Sequence, residues 1–94
     1  MNGAPPLPAA PLPEPIELIA IDSERNIRRR YTIVASIDLF GMIVVETRWG
    51  RIGTRGQAKR ISFDDREVAD RHIAATLRRR GTAKTRIGVA YKRV

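Results

Sequence analysis

MIVVETRWGRIGTRGQAKRISF, residues 42–63, is the stretch from which the fold is read. Its first twelve residues, MIVVETRWGRIG, form the strongest strand pattern in the chain, with four β-branched residues within the first six positions. AKRISF (58–63) is a second, shorter strand, and GTRGQ (53–57) between them supplies two glycines for a hairpin loop. Side chains alternate along a strand. One face therefore carries Ile43, Val45, Thr47, Trp49 and Arg51; the other carries Met42, Val44, Glu46, Arg48 and Gly50. Parity alone leaves open which face is the core. The aliphatic start of the Trp49 face predicts that it begins buried and ends at the sheet rim.

Upstream, IELIAIDS (16–23) and YTIVASID (31–38) read as two further strands, with a turn-like ERN (24–26) between them and LFG (39–41) leading into the central stretch. Connections this short favour an antiparallel meander. Downstream the period changes. DDREVADRHIAATLRRRG (64–81) places Ala69, Ile73, Thr76 and Leu77 on one helical stripe. Asp64 with Glu67 makes a capping-box-like start, the arginines 78–80 suit the last turn, and Gly81 is expected as a left-handed cap. TRIGVAYKRV (85–94) fits a last strand. The expected fold is α+β: a small antiparallel sheet of four to five strands with one main helix packed on it.

All six prolines lie within residues 1–15, which show neither helical nor strand period. These residues are read as a disordered tail, and residues 16–94 as one domain. The chain has no cysteine, which removes disulfides, thiolate metal sites and cysteine nucleophiles. No apolar run approaches the roughly 20 residues of a membrane span, and the N-terminus lacks the layout of a signal peptide. The expectation is a cytoplasmic protein without membrane attachment.

Charge is unevenly placed. Residues 1–24 hold four acids and no base, whereas residues 25–94 hold all 18 Lys and Arg against six acids, a net of +12. Fifteen of the 18 are Arg, whose planar fork pairs two-fold with phosphate. Such a domain attracts a polyanion, nucleic acid first. RWGRIGTRG (48–56) then sets the sole Trp among arginines and glycines. Two readings stand side by side: a core indole with solvated arginines, or an aromatic platform for a sugar or base flanked by phosphate-binding guanidiniums. On the second reading the nucleic-acid-binding residues are Trp49, Gly50, Arg51, Arg48, Arg55, Lys59 and Arg60. The triplets Arg28–Arg30 and Arg78–Arg80 are further candidates for a phosphate track.

The segment resembles the signature of the WGR domain, found in poly(ADP-ribose) polymerases and in short bacterial proteins. Trp49-Gly50-Arg51 matches the name-giving triplet, and Ile52-Gly53 with Gly56-Gln57 continues the pattern. ERNIRRRYTI (24–33) and DLFG (38–41) are similar to further family motifs, and the likeness covers about residues 16–80. The resemblance implies a small antiparallel sheet carrying a helix, and recognition of broken DNA ends. There the Trp packs against a terminal sugar and the Arg helps hold DNA and neighbouring domains, roles that fall here on Trp49 and Arg51. After the helix, GTAKTRIGVAYKRV departs from the family pattern.

The remaining residues have plainer readings. His72, the sole histidine, is expected as a partly exposed helix residue, since one imidazole makes no usual metal site. Asp64, Asp65, Glu67 and Asp70 are read as helix-start acids. PLPAAP (6–11) carries a P-x-x-P spacing and is read as plain tail. With no catalytic arrangement of titratable groups, no metal ligand set and no cofactor motif, the expected function is non-catalytic nucleic-acid binding, and the family resemblance implies the ends of double-stranded DNA as its target. An adapter docking an acidic protein through its basic face is the alternative, and RNA binding is a third.

Overall fold

A computed structural model describes residues 11–81 and 90–94. Five strands and one helix follow in chain order: β1 (Ile16–Asp22), β2 (Ile27–Ile37), β3 (Ile43–Arg51), β4 (Gln57–Phe63), α1 (Arg66–Arg80) and β5 (Lys92–Arg93). The sheet is antiparallel in the order β4-β3-β2-β1-β5. The first four strands form the expected meander; β5 pairs the far edge of β1, opposite Leu18 and Ile19.

Strand parity sorts one face to the core. Ile16 and Leu18 of β1, Tyr31 and Ile33 of β2, and Ile43 and Val45 of β3 are buried together with Ala69 and Ile73 of α1. Val45 sits near the centre at 1% exposure. The helix presents Ala69, Ile73 and Thr76 inward, the stripe expected from the sequence, with Leu77 packed at its margin. It lies against β3 and β4, so the β1 side of that face is left to smaller packing pieces, among them Leu12 and Tyr91. Pro11 is tied in as well, its carbonyl accepting from Arg66 Nη2 at 3.0 Å. Residues 1–10, most of the expected tail, and 85–89, half of the expected last strand, lie outside the described residues.

Several boundaries differ from those read in the sequence. The arginines 28–30 are strand residues within β2, because Ile21, Ala20 and Ile19 of β1 pair with them. The helix is capped by Asp65, not Asp64: its extended backbone lets the carboxylate accept from Glu67 N at 2.8 Å. Gly81 is right-handed (φ −63°, ψ −19°) rather than a left-handed cap. Its N–H still closes the helix by donating to the Leu77 and Arg78 carbonyls, so no positive φ is required.

The two ends of β3 are finished differently. At the start, Asp38 Oδ1 accepts from Phe40 N and Met42 N, both at 2.9 Å, which fixes the LFG turn and leaves Leu39 and Phe40 in solvent. At the finish, β3 outruns β4: the last β3–β4 pair is Trp49 with Gln57, whereas pairing with β2 continues to Arg29 with Arg51. The loop between folds back on the strand end. Thr54 donates to the Arg51 carbonyl from its N–H (3.0 Å) and its hydroxyl (2.7 Å).

Candidate nucleic-acid interface

The folded-back loop explains two of the three glycines in the motif. A Cβ on Gly56, at φ +67°, would collide with the Trp49 carbonyl, and one on Gly50 would stand 2.7 Å from Gly56 Cα. The close approach that Gly50 permits is thus made by the chain's own loop. This packing holds Trp49 and Arg51 at the sheet rim, where the sequence expects them.

Trp49 is half-buried. Its ring stacks on Tyr31, the cross-strand partner on β2, at 6.1 Å and 20°. Tyr31 meets Tyr91 edge-on at 6.3 Å, and the Arg80 guanidinium covers the Tyr31 ring at 4.6 Å. The indole therefore belongs to an aromatic row across the sheet and is neither free nor enclosed by aliphatic residues.

The arginines around it fall into distinct settings. Arg51 forks onto the β1–β2 turn, with Nη1 donating to Asn26 O (3.1 Å) and Nη2 to Asn26 Oδ1 (2.8 Å). That turn is itself set by Asp22, which accepts from Arg25 Nε at 2.7 Å. The Arg25 hydrogen bond holds the Asp22 carboxyl below its ordinary value. Arg48 points to the sheet face away from the helix, donating to the Arg55 carbonyl (3.3 Å) with Glu46 at 3.8 Å. Arg60 lies on that same outer face, its Nε 3.5 Å from Glu46. Lys59, one residue away, is on the helix face beside Trp49 and Thr47.

Two hollows meet at the strand end. A small one, about 60 Å³, brings Arg30, Arg48 and Arg55 to Trp49, Gly50 and Arg51. A wider one, about 350 Å³, gathers Asn26, Arg28, Arg29 and Arg51. Of the predicted binding residues, Trp49, Gly50, Arg51, Arg48 and Arg55 are brought together, Lys59 reaches the indole only from the helix side, and Arg60 stays with Glu46.

A third hollow, about 320 Å³, opens between the sheet and the C-terminal half of α1. Tyr31, Thr47, Trp49 and Lys59 form its floor; His72, Thr76, Arg79 and Arg80 form its roof. Burial, then the nearby charges of Lys59 and Arg79, push the His72 imidazole below its usual 6.5. The sequence places Arg78–Arg80 in the last helical turn without sorting them by face, and gives His72 no part. The helical phase carries the missing signal: Arg80 continues the inward steps Ala69, Ile73 and Thr76 at the same spacing.

Among the described residues no group of three or more His, Asp or Glu side chains stands ready for a metal, and no helix is long and apolar enough to cross a membrane. The chain is 38% identical over 60 residues to the uncharacterized protein y4dW of Sinorhizobium fredii, a match that takes in 64% of this chain and 29% of that protein. The chain thus spans less than a third of the length of that relative. No solved structure matches it. The WGR domain family model matches residues 15–86, and with the sheet, the helix and the rim tryptophan in place, this chain belongs to the WGR domain family.

Proposed function

We propose that residues 16–94 act as a non-catalytic nucleic-acid-binding unit in the cytoplasm that grips the ends or breaks of double-stranded DNA. The observation that carries this reading is the strand end itself: a half-buried indole with Arg30, Arg48 and Arg55 converging on one side and Arg28, Arg29 and Arg51 on the other. A continuous duplex offers phosphates but no exposed terminal sugar or base face. Arginine contacts to phosphate supply affinity blind to sequence, and the flat face of Trp49 supplies the preference for a terminus. Arg51, anchored on Asn26, holds the rim in shape while two of its five donors are engaged. Membership in the WGR family and the +12 charge of residues 25–94 support the same reading.

The test is affinity for a blunt duplex, a covalently closed circle and a single strand across a salt series. The expected result is tighter binding to the blunt duplex, with log affinity falling by about 0.9 per phosphate contact against log salt. Equal affinity for ends and circles removes end recognition. Salt-independent binding, or capture of an acidic protein with no binding to DNA, replaces it with the adapter reading.

A further inference from the structure

Two apolar surfaces take no part in the strand end. The first is the β2–β3 turn, where Ile37, Leu39 and Phe40 are 62%, 101% and 89% exposed. The turn fixes them there: Asp38 accepts from the Phe40 and Met42 amides, and Gly41 follows at φ +79°. A single apolar side chain in solvent is ordinary, but Leu and Phe side by side on a fixed apex form a patch. Acids stand around it. Ile37, Ile43 and Phe63 are in register across three strands, so Asp64, Asp65 and Glu67 at the helix start lie at the same end of the sheet as Asp38. The base among them, Arg66, is turned to Asp70 and the Pro11 carbonyl. The second surface is a hollow of about 310 Å³ lined by Ile19, Ile21, Ala90 and Lys92, with Ile21 42% exposed. Its surroundings are basic: Lys92 is in the wall, and Arg28 and Arg30 stand across from Ile21 and Ile19. The nearby acids Glu17 and Asp22 are paired with Arg30 and Arg25.

We infer that the Leu39–Phe40 turn of one chain seats in the Ile19–Ile21 hollow of a second copy, a head-to-tail contact. An apolar knob with an acidic surround meets an apolar hollow with a basic one. One chain cannot make the contact within itself: Arg28, opposite Ile21, and Ile37 are nine residues apart on β2, about 30 Å of strand. Two turns meeting symmetrically would set Asp38, Asp64, Asp65 and Glu67 against their own copies, which like charge disfavours. The same acids disfavour an anionic lipid surface. Because the contact joins two different surfaces, each copy keeps one of each free, and the assembly grows as an open chain. Trp49 belongs to neither surface, so the contact stands independently of end binding.

The test is sedimentation velocity of the full chain from about 0.02 to about 1 mM, the range of a small contact. The weight-average sedimentation coefficient is expected to rise with concentration and to pass the dimer value, since the chain is open. F40S and I21D each weaken association at least roughly tenfold, whereas V34T, at an exposed position of the outer face outside both surfaces, changes it by less than about twofold. An equal mixture of F40S and I21D forms a dimer and nothing larger, because the hollow is intact on one and the turn on the other. Thermal melting by circular dichroism checks that each variant is folded, and K92E, on an exposed strand, takes the place of I21D should that fold fail. A monomer across the whole range overturns the inference. So does a dimer that persists in I21D and is lost in F40S without rescue by mixing, the mark of two turns pairing symmetrically. Association lost in L7S and kept in I21D also overturns it, in favour of the N-terminal segment as the occupant of the turn.

Discussion

The two faces of this sheet carry similar cations and treat them in opposite ways. On the outer face Arg30, Arg48 and Arg60 stand in a ladder with Glu17 and Glu46, so much of their charge is answered within the protein. On the helix face Lys59, Arg79 and Arg80 border an aromatic floor of Tyr31 and Trp49. The net charge of the domain says only that a polyanion is attracted. Which basic side chains face a glutamate and which face the aromatic floor is decided by strand parity and helical phase.

The strand end joins these faces, and the largest effect is expected from loosening it. G56A forces a side chain into a left-handed backbone and into the Trp49 carbonyl. The strain alone is about 1–3 kcal/mol, which in a domain of this size lowers the melting temperature by roughly 10 °C; binding at both hollows beside Trp49 falls with it. G41A, at the other end of β3, also has a positive φ but meets nothing within 4 Å, so thermal melting should show a smaller loss, about 1 kcal/mol. Equal losses in the two variants would mean that the loop does not lean on the strand.

A smaller effect sharpens the contrast between faces. E46Q removes the acid shared by Arg48 and Arg60. Stability should change by less than about 1 kcal/mol, because both pairs are largely solvated. DNA affinity at low salt should rise, with the salt slope steeper by roughly one contact. Weaker DNA binding in E46Q would show that the outer face needs its glutamates.

The smallest effect concerns His72, which the cleft holds below 6.5. Because the folded state disfavours the charged form, the fold keeps its full stability above 6.5 and loses part of it as pH falls through that value towards the folded one. An NMR titration of the imidazole should place its midpoint below 6.5. A midpoint at or above 6.5 without ligand would contradict the cationic character of the cleft.

Much of this was legible in the sequence. Alternation in 42–53 sets Trp49 on the buried face and at its rim, and the change of period after Phe63 marks the helix and its inward stripe. The pattern Trp-Gly-Arg with its later glycines carries the family. Pairing was not legible. Lys59 and Arg60 look equivalent as neighbours, yet one faces an indole and the other a glutamate, because register with β3 is set by the loop and not by local composition. Arg51 reads as a free guanidinium until the β1–β2 turn brings Asn26 beneath it. Gly50 reads as a binding residue until Gly56 is found packed against it. Contacts between residues distant in sequence made each of these differences.

The role of Trp49 in telling a terminus from a continuous helix is tested most directly by the ratio of affinities for a blunt duplex and a closed circle of the same sequence, in the unaltered chain and in W49A. The account predicts a ratio well above one that collapses towards one in W49A, through a loss of about 1–3 kcal/mol on the blunt end alone, while the circle is bound as before. A ratio of one in the unaltered chain, or a folded W49A that keeps the full preference, would contradict it.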